Sequence, residues 1–229
     1  MSKNKKDAAE ITLAERIERS LNRFLGNNRK LLLIVVIVII VGLATLGIVL
    51  SVRQNNLQEQ FDQIDQLEDS YTAFQALGSD DESYLETYDE LVAGLTELSD
   101  KGSNYPNLKA EYLLGMIAFQ TEEYQKAVDN FISVYSEADG SYLGSLSLTN
   151  AAVAAEELGN DSLALEYYTK IIDEFGFNAA ESPKALFGQA RLQEKEGNIE
   201  LARATFQQLA DQFPTSEYAK LATNRLALL

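Results

Sequence analysis

Leu31 to Val52 is a run of 22 residues without one Asp, Glu, Lys or Arg, bounded by Arg29 and Lys30 before it and Arg53 after it. A helix rises about 1.5 Å per residue and the hydrocarbon core of a bilayer is about 30 Å thick, so the run is long enough to cross a membrane once. Only Thr45 and Ser51 interrupt its apolar character. A cleavable signal peptide would have a shorter apolar region and a small-x-small cleavage site, which Val49-Leu50-Ser51-Val52 does not offer. The run reads as a permanent signal anchor, residues 31–52.

Charge orients the anchor. Residues 1–30 hold eight Lys or Arg against four acids, a net +4; with −16 on the whole chain and none on the span, −20 falls on residues 53–229. Cytoplasmic flanks are enriched in Lys and Arg. The expected topology is therefore a single-pass protein of a bacterial inner membrane, N-terminus cytoplasmic, with its large domain periplasmic or extracellular. So acidic a domain lacks the basic stripe that nucleic-acid phosphates require.

The chain has no Cys, no His and no Trp. Disulfides, Cys or His metal sites, Cys nucleophiles and His general bases are thereby excluded. The acids are scattered along polar helix faces, the pattern of solvated surface. A carboxylate hydrolase would need two of them converging in a shielded pocket. The expectation is no enzyme, no catalytic residue, no metal, no cofactor and no small-molecule substrate.

Residues 1–30 form a basic amphipathic arm. Thr12-Leu13-Ala14-Glu15 has capping-box spacing; Leu13, Ile17, Leu21, Phe24 and Leu25 then share one face, with Arg16, Arg19, Asn22 and Arg23 elsewhere, until Gly26-Asn27-Asn28 breaks the pattern. Beyond the span, residues 53–107 read as a helical hairpin. Its first stripe is Leu57, Phe61, Ile64, Leu67, Tyr71, Phe74 and Leu77, ended by Gly78-Ser79-Asp80; its second runs through Tyr84, Tyr88, Leu91, Val92, Leu95 and Leu98. A coiled-coil oligomer is the alternative for the first stripe, with a less regular register.

From Leu108 the chain aligns with itself. Setting Ala127, Ala164 and Ala202 in register, 37 and 38 residues apart, places Phe131, Tyr168 and Phe206 four residues later and Val134, Ile171 and Leu209 three further on. The turns before each aligned Ala are Thr121-Glu122-Glu123-Tyr124, Leu158-Gly159-Asn160-Asp161 and Glu196-Gly197-Asn198-Ile199. A small residue lets two helices of a hairpin approach, and an aromatic fills the space to the next hairpin.

These residues resemble the tetratricopeptide repeat. Its small residue in the first helix matches Gly115, Ala152 and Ala190, and its closing proline matches Pro214; its opening Trp is absent from all three copies. The resemblance implies a tetratricopeptide-like α-solenoid, so with the apolar run the expected fold is all-α, one transmembrane helix followed by that solenoid. Three repeats fill residues 108–215, with a capping helix over 216–229, Ser216 its N-cap and Tyr218, Leu221, Ala222 and Leu226 facing inward. It also implies a protein-binding groove on the first helices. By register the groove takes Tyr112, Met116, Phe119 and Gln120; Thr149, Val153 and Glu156; Phe187, Arg191 and Glu194.

The layout of short basic arm, single span and acidic exported repeats is similar to the YfgM family of ancillary translocon subunits. Arg23, Phe24, Asn28, Lys30 and Leu32 carry the local match within Arg23-Phe24-Leu25-Gly26-Asn27-Asn28-Arg29-Lys30-Leu31-Leu32. That resemblance implies association with SecYEG and a membrane-anchored periplasmic chaperone, assisting exported proteins. An envelope scaffold for division, wall synthesis or outer-membrane assembly is the alternative.

Overall fold

Hydrophobic periodicity of three to four residues, with few prolines to interrupt it, produces helices throughout. The computed structural model describes residues 13–78, 80–138 and 140–229, and all regular structure among them is helical. The chain divides into two units, one ending at Leu57 and the other Gln58–Leu229.

In the first unit, α1 (Leu13–Asn27) and the beginning of α2 (Arg29–Ala76) are separated by one turn residue, Asn28. The break expected over Gly26-Asn27-Asn28 is thus confined to a single residue. Thr12, the expected capping residue of α1, lies outside the described residues. The apolar run of α2 is bare, with Leu43 64% and Ile48 66% exposed. Length and composition suffice for this helix to cross a membrane.

α2 continues without a break to Ala76. Its last turns belong to the second unit, where Ile64, Tyr71 and Phe74 are buried with Leu91, Leu95 and Leu98 of α3 (Tyr84–Ser99). Gly94 admits the Leu67 side chain: a Cβ there would lie 2.8 Å from Leu67 Cδ2. The ring of Phe74 meets that of Tyr84 at 5.1 Å. Polar contacts extend the packing past α3, Lys109 Nζ to Glu68 at 2.7 Å and the Asn104 side-chain amide donating to Gln60 Oε1 at 2.8 Å. The stripe is buried inside the chain from Ile64 to Phe74, while Leu57 and Phe61 at its start are exposed.

Three hairpins follow: α4 (Tyr105–Gln120) with α5 (Tyr124–Glu137), α6 (Tyr142–Glu157) with α7 (Asp161–Phe175), and α8 (Ser182–Lys195) with α9 (Ile199–Gln212). Every aligned position lies in the core. Ala127, Ala164 and Ala202 are fully buried, as are Val134, Ile171 and Leu209, and Phe131, Tyr168 and Phe206 are at most 2% exposed. A short 3-10 turn, Gly176–Asn178, follows α7, and the Ser182 hydroxyl donates to Gly176 O at 2.6 Å to hold it.

The turn inside each hairpin needs one residue in the left-handed region. That residue is Gly159 (φ 79) in the second repeat, Gly197 (φ 82) in the third and Glu122 (φ 63) in the first. A side chain there meets its own backbone and costs about 1 kcal/mol that glycine avoids. Glu122→Gly is therefore expected to stabilise the protein by about 0.5–1 kcal/mol, read as a higher urea midpoint with unchanged slope.

α10 (Glu217–Leu226) closes the stack. Ser216 caps it, its hydroxyl oxygen accepting from the Ala219 N–H at 3.0 Å. One expectation for this helix is corrected: Leu221 does not face inward but is 48% exposed, while Ala219 and Ala222 are buried. At 100° per residue Leu221 lies a quarter turn away from Ala222, whereas Tyr218 and Leu226 flank it and pack on the core.

Candidate functional site

Nine of the ten residues expected to form the groove fall into three columns, one residue per first helix in each, and Gln120 stands beside the third. Equivalent positions meet different fates. In the first column Tyr112 is buried, its hydroxyl accepting from the Asn150 side-chain amide at 2.8 Å and its ring tilted against Phe131 at 5.5 Å. Thr149 is fully buried, its hydroxyl donating to Ser145 O at 2.9 Å. Neither presents appreciable surface to a partner. Phe187 is half-buried and open on one side, packed against Phe206 at 5.7 Å and Tyr218 at 5.8 Å.

The second column is Met116, Val153 and Arg191. The first two are half-buried, with Met116 Sδ 3.6 Å from the Asn150 amide, and Arg191 is exposed. In the third column Phe119 is half-buried, edge-on to Tyr124 at 5.5 Å, and its neighbour Gln120 is exposed. Glu156 and Glu194 occupy the positions equivalent to Phe119, and both are half-buried. The face thus changes character along its length, apolar on α4 and ionic on α6 and α8.

Each of these two acids pairs with an arginine on the next first helix. Arg191 of α8 pairs with Glu156 of α6, and Arg225 of α10 pairs with Glu194 of α8 through two bonds, Nε to Oε2 at 2.7 Å and a second from its terminal nitrogen to Oε1. The Tyr168 hydroxyl donates to Glu156 Oε1 at 2.8 Å. Arg225 beside Glu194 holds that carboxyl below its usual range. A two-point pair of this kind is directional, so Arg225 and Glu194 meet in one orientation.

Two concavities lie along the ladder. One, of about 450 Å³, is lined by Phe187, Arg191, Glu194, Lys195, Phe206 and Arg225. The other, of about 400 Å³, has Val153, Glu156, Tyr168, Phe187, Arg191 and Tyr218 among its walls. Phe187 and Arg191 line both. Among the described residues no cluster of three or more Asp or Glu is arranged to hold a metal. The geometry offers an aromatic floor, charged rims and open mouths, which suits the side chains of an extended segment.

Sequence reasoning missed Asn150, Tyr168, Tyr218 and Arg225 as members of this face. Asn150 was legible in principle, since it stands one residue past Thr149, the repeat equivalent of Tyr112. Arg225 was not, because the junction before α10 is shorter than the one before α8 and shifts the register.

Burial also sets the alkaline behaviour. It pushes the Tyr112 hydroxyl from 10.0 up to about 12, against the lowering effect of the Asn150 bond, and raises Tyr168 further with help from Glu156. Below pH 10 both hydroxyls are protonated, folded or unfolded. Above it the unfolded chain releases protons that the folded chain retains, so stability falls as pH rises. Urea midpoints are expected to be level up to about pH 10 and to fall from there toward pH 12, less steeply in Tyr168→Phe.

Residues 184–216, which take in α8 from its third residue and the whole of α9, match the family model described as tetratricopeptide repeat. A TPR repeat-containing protein of Treponema pallidum (strain Nichols) is 30% identical over 116 residues, 51% of this chain and 48% of that protein. The chain thus spans about half the length of the curated relative it matches. A tetratricopeptide repeat protein from Parabacteroides merdae superposes over 72% of this chain and 59% of its own, with a TM-score of 0.54 at 20% identity. The TPR-like repeats of a Podosopora anserina kinesin light chain cover 72% and 85%, with a TM-score of 0.55 at 14% identity. The fold is an all-helical tetratricopeptide-like solenoid, an architecture of protein-interaction scaffolds.

Proposed function

We propose that this chain is a membrane-anchored protein-binding scaffold whose first-helix face engages an extended segment of another protein. The observation that carries this reading is the pair of concavities sharing Phe187 and Arg191, of about 450 and 400 Å³. They place an aromatic side chain and a guanidinium side by side at the centre of the open face, the residue types that dominate binding hot spots. Anchoring by α2 adds effective concentration toward partners in the same membrane plane.

In the fuller form of the proposal, the arm is cytoplasmic and the repeats are periplasmic. The partners are SecYEG and a membrane-anchored periplasmic chaperone, and the role is to assist exported proteins. The split of +4 on residues 1–30 against −20 on residues 53–229 supports the topology. The resemblance of Arg23-to-Leu32 to the YfgM juxtamembrane stretch supports the partners.

Site-specific photo-crosslinking in cells tests it, with the crosslinker at Phe187 and at Phe119. Adducts with translocon subunits, the chaperone or exported chains are expected, and Arg191→Glu should reduce those from Phe187. Adducts confined to wall-synthesis, division or outer-membrane assembly proteins would reject the translocon role. An absence of adducts at both positions would reject the groove.

A further inference from the structure

The helix α1 has an apolar face that nothing among the described residues of its unit covers. Ile17, Leu21, Phe24 and Leu25 are 56%, 57%, 57% and 42% exposed, and at 100° per residue they lie within about a third of the helix circumference. Arg16, Arg19 and Arg23 lie on the opposite side, and Glu15 and Glu18 on one flank between them. We infer that α1 is a lipid-binding helix, which rests on the cytoplasmic surface of the membrane and recognises anionic phospholipid headgroups. The inference rests on the reading of α2 as the membrane span.

Three observations favour a lipid surface. The apolar face runs directly onto the span: Leu25 of α1 and Leu32, Leu33 and Val36 of α2 line one concavity of about 390 Å³, with Gly26 and Arg29 between them. An apolar surface continuous with a transmembrane helix meets the bilayer without any further partner. The charge is complementary, because residues 1–30 carry +4 and Arg29 and Lys30 stand where the span begins. An interfacial helix buries its apolar face at the headgroup boundary while its basic residues stay with the phosphates.

The joint supplies the freedom to turn. Asn28 donates its backbone N–H to Phe24 O at 3.0 Å, and its side-chain amide donates to the same carbonyl at 2.9 Å. Gly26 and the two asparagines are poor helix formers, and a side chain entering the ladder is a recognised cause of kinks. α1 leaves the axis of α2 here more easily than at any all-aliphatic turn beyond it.

The chain contains no Trp, so a single introduced indole reports alone. Phe24→Trp in the full chain would be reconstituted into vesicles of phosphatidylcholine, or of phosphatidylcholine and phosphatidylglycerol in equal parts. Leu43→Trp, within the span, is the control. Expected from the Phe24→Trp variant is a blue-shifted emission, quenched by brominated lipid, in the mixed vesicles and weaker in the neutral ones. Each basic residue near an anionic surface contributes about fivefold to partitioning, so Arg16, Arg19 and Arg23 all changed to Gln should weaken it about a hundredfold. The arm indole's emission should then return toward the solvent value while the span indole of Leu43→Trp stays quenched. A solvent-like arm indole beside a quenched span indole in the mixed vesicles would overturn the lipid assignment and leave the span intact. An arm-indole shift equal in both vesicles and indifferent to the arginines would overturn the recognition of anionic headgroups. Shielding seen only in native membranes would assign the face to a protein. An unquenched span indole would remove the span, and this inference with it.

Discussion

Phe131→Ala is expected to destabilise the repeat unit by about 3–5 kcal/mol. The ring is fully buried, tilted onto Tyr112 at 5.5 Å, and lies over Gly115, where even a Cβ would come within 2.7 Å of Phe131 Cε1. On α4 the ring meets Gly115 and Tyr112, and the Tyr112 hydroxyl is held by the Asn150 amide at 2.8 Å, so neither can readily swing in to fill the space. The lost transfer energy is then accompanied by nearly the full cost of the cavity. Against a typical total of about 5–15 kcal/mol, one substitution removes a large share. In the detergent-solubilised chain, thermal unfolding followed by circular dichroism should move down by roughly 10 °C, at about 2–4 °C per kcal/mol for a unit of this size. Phe131→Leu, which keeps most of the volume, should cost less than about 1.5 kcal/mol. An equal loss in both variants would mean that the ring is not what holds the first hairpin.

Gly188→Leu is expected to cost about 3 kcal/mol by the opposite fault. A Cβ at this position would lie 2.5 Å from Cε2 and 2.6 Å from Cζ of Tyr168, far inside the 3.5–4.0 Å of an ordinary carbon contact. The ring cannot simply withdraw. Its hydroxyl is held by Glu156 at 2.8 Å, and Glu156 is itself paired with Arg191. Overpacking at Gly188 therefore reaches the ion-pair ladder, and the crosslinking yield at Phe187 should fall along with stability. Adding Tyr168→Phe releases the tether, so the double variant should lose less than the two single losses combined. Strict additivity would show that ring and carboxylate are not coupled.

Much of this fold was legible in the chain. Three small residues, three aromatics and three aliphatics recur at spacings of 37 and 38 residues, and all nine are buried between packed helices. Such positions are readable because the volume that fits between packed helices is set locally and repeats with the unit. The candidate site was legible by column but not by exposure. Tyr112, Thr149 and Phe187 occupy one register position, yet the first two are closed over and the third is open on one side. Asn150 of the next repeat reaches back to Tyr112, whereas Phe187 packs on the rings of Phe206 and Tyr218 and lines the two concavities. Gly188 escaped notice for a related reason, since its partner Tyr168 belongs to the preceding hairpin.

From sequence alone follow the helical class, an apolar run of 22 uncharged residues, the charge difference between its two sides and the number of hairpins. All of these depend on periodicity, length or charge along the chain. The tertiary structure decided which side chains of the face remain reachable and joined Glu156 to Arg191 and Glu194 to Arg225. Those pairings depend on the rotation between successive hairpins and on the length of the junctions joining them. Spacing within one repeat carries no record of either.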